Sequence, residues 1–193
     1  MKRVWIFGYG SLINRASLRH TLADAAVGEI VPGRIVGWRR SWSNRVAAAR
    51  RTGLSVRPEP GAGVNGVAIE LLRPEFEALD RREAGYLRQR VEAQTLVDGE
   101  LWLYTKPDAA MATAEFPIAV SYLEVVLSGC LALGRDFAVE FLTGTPGLVA
   151  LMNDREAPVY PRRTPLAPAE VARIDTLLRE HLPGHVTLPL RSG

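Results

Sequence analysis

The strongest constraint on this chain is the shortness of the links between its strand-like runs. Apolar, β-branched and aromatic stretches bounded by turn residues predict strands over 4–8, 29–42, 54–57, 66–72, 90–97 and 101–105. Parallel neighbours need a crossover of about a dozen residues, and several of these runs lie closer together than that. They are therefore expected to pair mostly antiparallel, with Asp98 and Gly99 turning the last two into a hairpin. Helical patterns fall over 15–23, 74–85, 118–133, 135–143 and 168–181. The expected fold class is α+β: a small, mostly antiparallel β-barrel with flanking helices.

At 193 residues the chain suits one domain, 1–193. A C-terminal extension is expected from about residue 155, where the proline-rich "APVYPRRTPLAP" separates the last helix from the body. Apolar residues make up 47% and charged ones 23%, the balance of a globular protein rather than a disordered one. No stretch approaches a membrane span, and the four apolar residues after "MKR" are too few for a signal peptide, so a cytoplasmic protein is expected. Cys130 is the only cysteine and lies in the apolar run "LEVVLSGCLAL", which predicts a buried, inert thiol. His20, His181 and His185 lack metal-ligand spacing.

The net charge is only +3, yet "GRIVGWRRSWSNRVAAARR" gathers six arginines around Trp38 and Trp42. Such a mixture can grip phosphates and stack on bases. The commoner cause is a pair of strands whose arginine stems cover apolar surface while their heads stay in water. On that reading no nucleic acid is bound.

Two features carry chemistry. In "VWIFGYGSL" a buried strand breaks into Gly8, Tyr9, Gly10, Ser11 and Leu12. Two glycines around one residue permit positive φ and close approach of another group to the backbone, as a binding loop needs, though a tight turn needs them too. In "RPEFEALDRREAGY", Pro74 suits a helix start and Gly85 its exit, and Phe76, Leu79, Glu83 and Tyr86 fall on one helical face. Glu83 interrupts that apolar stripe. A carboxyl there either takes up a proton near neutral pH, which suits an acid/base catalyst, or pairs with Arg82, Arg88 or Arg90. Arg82, adjacent on the helix, is expected to point elsewhere.

"FGYGSLI", "GWRRSW", "NGVAIEL" and "LDRREAGY", in this order, resemble the γ-glutamylcyclotransferase superfamily, and its ChaC-like, glutathione-specific branch most closely. The later "FPIAVSYLEVVLSGCLALGRDFAVEFL" is similar to that branch's C-terminal helical stretch. The resemblance implies a small β-barrel in which Tyr9, Gly10, Ser11 and Leu12 cradle the γ-glutamyl group and Glu83 is the catalytic acid/base. Arg39, Arg40, Trp42, Tyr86 and Tyr122 are candidates for the pocket rim. Three features depart from the pattern: Ala84 replaces a glycine, Asn14 an aromatic residue, and the "GWRRSW" strand is one residue shorter than the common form.

The implied reaction needs no external nucleophile. The α-amino group of a γ-glutamyl amide can close a five-membered lactam on its own γ-carbonyl. Glu83 would take the proton from that amine and hand it to the departing one, while N–H groups near Gly10 to Leu12 hold the substrate carboxylate or the oxyanion. Products would be 5-oxoproline and a free amine or peptide, Cys-Gly in the case of glutathione. No metal, nucleotide or flavin is called for, and the expected partner is a small γ-glutamyl molecule. Alternatives are a cyclotransferase for γ-glutamylamines or other γ-glutamyl peptides, and a non-catalytic γ-glutamyl-binding module of the same fold. A dinucleotide fold fails because Ile13 stands at the third glycine of the fingerprint and no βαβ unit spans the loop.

Overall fold

A run as apolar as Val4 to Phe7 has to be covered on both faces, and in the structure it is. In a computed structural model that describes residues 3–72, 76–92, 94–106, 108–182 and 186–188, this run forms β1 (Val4–Gly8), with Trp5, Ile6 and Phe7 buried. The chain goes on through a 3-10 turn (Ser11–Ile13), α1 (Arg15–Arg19) and two long strands, β2 (Val27–Val46) and β3 (Arg51–Leu71). Next come α2 (Phe76–Arg82), β4 (Leu87–Arg90) and β5 (Glu100–Thr105). Then follow β6 (Ile118–Ala119), α3 (Val120–Ala132), α4 (Arg135–Thr143), β7 (Ala150–Met152), α5 (Pro168–His181) and β8 (Val186–Leu188).

Five strands form one sheet in the order β2-β3-β1-β5-β4, and three form another in the order β6-β7-β8. β1 is central. It runs antiparallel to β3, with Ile6 opposite Ile69 and Phe7 opposite Ala68, and parallel to β5, with Trp5 opposite Leu101. β4 pairs antiparallel with β5, Arg90 facing Trp102. The class is α+β as expected, but the expected closure into a barrel is corrected: among the described residues no pairing joins β2 to β4. β4 is short, exposed along its length and carries Arg88 and Arg90, the features that blunt an open edge.

The chain divides into two compact units, Met1–Arg39 with Val56–Pro107 and Arg40–Ser55 with Asp108–Gly193. The first is built on Trp5, Ile6, Phe7, Ile69, Leu79 and Leu103, the second on Trp42, Leu123, Val126, Phe141, Ile174 and Leu177, all buried. No helix among the described residues is long and apolar enough to cross a membrane.

Several boundaries moved for identifiable reasons. The strands expected at 54–57 and 66–72 are one strand, because Pro58, Pro60 and Gly61 lie in its exposed middle, where a missing N–H is tolerated. The strand expected at 90–97 is strand only at Arg90. Gln94 closes a local turn instead, its Nε2 donating to the Val97 carbonyl (2.9 Å) and its Oε1 accepting the Val97 N–H (3.0 Å). β4 and β5 thus pair through a wide link rather than a tight turn at Asp98 and Gly99.

The helix expected over 118–133 gives its first two residues to β6, which pairs with β7. Ala119 cannot cap α3, and the buried Asp154 does so from afar: Oδ1 accepts the Ser121 N–H (2.8 Å) and Oδ2 the Ser121 hydroxyl. α4 and α5 lie where expected. α5 is not set apart, since Ile174, Leu177 and Leu178 are buried and Asp175 pairs with Arg155, which also reaches Glu124 of α3 (2.7 Å). The helix expected at 15–23 stops at Arg19, and that at 74–85 is described from Phe76 to Arg82. Pro74 and His185 lie outside the described residues. Cys130 is buried as expected, and burial pushes its thiol up to about 12.

Candidate active site

Gly8, at the end of β1, serves contact rather than left-handed geometry. Gly10 has φ −142°, and Gly8 is not among the glycines with positive φ, which corrects the expectation for both. A Cβ on Gly8 would stand 2.8 Å from Leu12 Cβ, and one on Gly66 2.4 Å from the Gly8 carbonyl oxygen. The loop therefore folds back on bare backbone. Ile13 N–H bonds to the Gly10 carbonyl (2.9 Å) and Asn14 N–H to the Ser11 carbonyl (3.2 Å). Such a turn leaves the N–H groups of Ser11 and Leu12 without an acceptor inside it. Asn14, one of the departures from the resembled pattern, caps α1 by accepting the Ser17 N–H (2.9 Å). Tyr9 and Leu12 are buried, and the Tyr9 hydroxyl donates to the Tyr104 carbonyl (2.7 Å). Ser11 is half-buried.

Glu83 sits one residue beyond α2, its side chain 20% exposed. The helix ends before the apolar stripe reaches it, so it is not a carboxylate stranded among apolar groups. Of the residues on that stripe Leu79 is buried, whereas Phe76 and Tyr86 are only partly so. Arg82, expected to point away, is its ion-pair partner, with Nε 3.1 Å from Glu83 Oε1. The chain turns here: Glu83 N–H bonds to the Leu79 carbonyl (2.8 Å), Tyr86 N–H to the Glu83 carbonyl (2.9 Å), and Gly85 takes φ +91°. Among the described residues only Arg50 is a non-glycine with positive φ, so Ala84 carries no such strain.

Burying a guanidinium costs several kcal/mol unless its charge and donors are met. The Arg82 side chain is 1% exposed and all five of its N–H donors have acceptors. Beyond Glu83, Nη1 reaches the Ser17 carbonyl (2.9 Å) and Thr21 Oγ1 (2.8 Å), and Nη2 reaches Ser11 Oγ and Ser17 Oγ (3.1 Å each). One side chain thus spans the glycine loop, α1 and the candidate acid. A second network braces α2: the Tyr104 hydroxyl donates to Asp80 (2.6 Å), and Arg88 donates to both Asp80 oxygens. Burial, then the bond to Asp80, pushes the Tyr104 phenol well above its ordinary value. Arg88 also lies 3.9 Å over the Phe76 ring.

The loop and the acid both fall within residues 6–120, which match the family described as Gamma-glutamyl cyclotransferase, AIG2-like. The chain belongs to that family. Among solved structures, this family member is similar to an uncharacterized protein from Homo sapiens (TM-score 0.59, 16% identity, 91% of this chain and 99% of that one). It is also similar to a γ-glutamyl cyclotransferase (0.56, 16%, 91% and 99%) and to YkqA from Bacillus subtilis (0.56, 16%, 74% and 54%). At such identities the likeness is one of fold. No curated protein sequence matches the chain. The match is to the AIG2-like family, and a ChaC-like placement goes beyond it.

The rim candidates of this cyclotransferase-family chain belong to both units, Arg39 and Tyr86 to the first and Arg40, Trp42 and Tyr122 to the second. Tyr86 is partly exposed beside Glu83, and Arg39 pairs with Glu59, to which Arg57 also donates (2.9 Å). In the other unit Arg40 is buried, Nε donating to Thr145 Oγ1 (2.7 Å) and the guanidinium lying 3.7 Å over the Phe141 ring. This corrects, for Arg40 alone, the expectation that the arginine heads stay in water; Arg34, Arg39, Arg45, Arg50 and Arg51 are exposed or partly so. Trp42 is buried edge-on to Tyr122 at 5.8 Å, and Tyr122 leans on Tyr160. Arg40 and Trp42 are therefore not displayed as part of a phosphate-gripping surface. Arg82 is the residue that the sequence reading names as a partner for Glu83 and then sets aside, and the structure restores it. Its signal was present, since it follows Leu79 by three residues and so shares the buried side with Glu83, which follows by four.

Proposed function

We propose that this chain cleaves a γ-glutamyl amide by intramolecular cyclisation, with glutathione the first substrate to test on the strength of the ChaC-like motifs "GYGSL" and "REAGY". The observation that carries the reading is the hold of one buried arginine on both Ser11 of the glycine loop and Glu83. In the proposed reaction the α-amino nitrogen attacks the γ-carbonyl carbon, the amide C–N bond breaks, and 5-oxoproline leaves with a free amine. Glu83 accepts the proton lost by the attacking nitrogen and returns it to the departing one. The N–H groups of Ser11 and Leu12 supply donors for the substrate carboxylate or the oxyanion, with Tyr9, Gly10 and Leu12 shaping the cradle.

The test is release of 5-oxoproline from glutathione, γ-glutamyl-alanine and a γ-glutamylamine, with Glu83→Gln alongside. Turnover by the wild type that the variant loses supports the reading. Binding of these compounds without 5-oxoproline would make the chain a γ-glutamyl-binding module, and turnover of the amine alone would move the substrate away from peptides.

A further inference from the structure

A buried arginine whose every donor is used is held in one orientation, and whatever it touches is held with it. The guanidinium of Arg82 is clamped on one side by the Ser17 carbonyl, Ser17 Oγ and Thr21 Oγ1. On its other ends it holds Glu83 Oε1 through Nε and Ser11 Oγ through Nη2. We propose that Arg82 is a positioning residue of the cyclotransferase site, setting the spacing between Glu83 and the glycine loop and the direction of the Ser11 hydroxyl proton. The inference rests on the function proposed above.

The chemistry of the contacts makes it specific. Ser11 Oγ accepts a bond from a cation, so its own O–H must point away from Arg82 and is left to donate to an oxygen, such as a substrate carboxylate or carbonyl. The planar fork fixes Nε and Nη2 relative to each other, which a lysine ammonium does not reproduce. Arg82→Lys therefore keeps the charge while releasing either the acid or the hydroxyl.

The experiment is a double-mutant cycle of Arg82→Lys and Glu83→Gln, read as kcat and KM for 5-oxoproline release, with thermal melts. Arg82→Lys is expected to lower kcat about tenfold in the wild-type background and less than about threefold in Glu83→Gln, because an acid that is absent cannot be misplaced. Wild-type turnover in Arg82→Lys, or the same loss in both backgrounds, overturns the role. If Arg82→Lys does not fold, Thr21→Val, which loosens only the far side of the guanidinium, takes its place in the cycle under the same two criteria. A wild-type protein that releases no 5-oxoproline from any substrate overturns the function, and this role with it; an active wild type with additive variants overturns the role alone.

Discussion

The α-carbon of Gly66 faces the carbonyl of Gly8 so closely that a Cβ on it would stand 2.4 Å from that oxygen and 2.6 Å from Phe7 Cζ. Gly66→Ala has to push β3 away from β1, the central strand, and should cost roughly 1–3 kcal/mol. Gly61→Ala, where nothing lies within 4 Å but φ is +80°, should cost about 1 kcal/mol from backbone strain alone. Urea midpoints of the two variants check the order. An equal or reversed order would mean that the two strands have room to part.

Replacing the acid keeps its shape and removes its proton chemistry. Glu83→Gln should lower kcat by about a hundredfold or more with an unchanged melt, since a carboxamide oxygen can still accept from Arg82. Steady-state kinetics on whichever γ-glutamyl substrate turns over fastest gives the answer. Turnover within about threefold of wild type would remove Glu83 from the chemistry.

Ser11→Ala deletes a hydroxyl but leaves the backbone N–H of the loop in place. We expect kcat/KM to fall roughly tenfold, about 1.4 kcal/mol of transition-state binding, and the fold to survive. The loss should stay well below that of Glu83→Gln, and a larger one would mean that the hydroxyl takes part in proton transfer.

Acid should weaken the pair of Glu70 and Arg3, whose Nε and Oε1 lie 2.7 Å apart. The hydrogen bond from Arg3, helped by one from the Glu29 N–H, holds the Glu70 carboxyl below the usual glutamate range. A carboxyl with a lowered folded pKa stabilises above its unfolded pKa, and that contribution is lost as pH falls through the folded value. The stability gap between wild type and Glu70→Gln should therefore be largest near neutral pH and shrink as pH falls through and below the usual glutamate range. A gap that grows on acidification would contradict the pairing.

Cys130 is wholly buried with its thiol pushed up to about 12, so almost no thiolate exists at neutral pH. Ellman's reagent should leave it untouched in the native protein and titrate one thiol after unfolding. Rapid native reaction would mean that α3 opens on the timescale of the assay.

β1 and the loop after it were legible because a short, strongly apolar run ended by glycine is a local signal. α4 and α5 were legible from their helical patterns in the same way. What escaped was non-local. Helical spacing singles out Glu83 but puts it inside the helix, whereas it lies just past α2, and its partner depends on hydroxyls of Ser11, Ser17 and Thr21, more than sixty positions away in the chain. The open sheet escaped because hairpin-length links say which strands are neighbours and not whether the last meets the first. Pro58 and Pro60 misled because they punctuate most strands, and here they occupy an exposed stretch of one long strand.

The cap that Asp154 places on α3 also governs how the chain can be made. The residues matched to the family end at Val120, the first residue of α3, and the carboxylate that completes that helix lies 33 residues after Ser121. Trp42 and Thr52, made early, hold their backbone bonds to Pro146 and Pro117. During synthesis, then, Ser43, Trp42 and Thr52 meet Ala110, Ala112 and Pro117 well before Trp42 can donate to Pro146, and a protein cut at the family boundary would stop at the threshold of its own helix, without the carboxylate that caps it or the carbonyl that Trp42 bonds to.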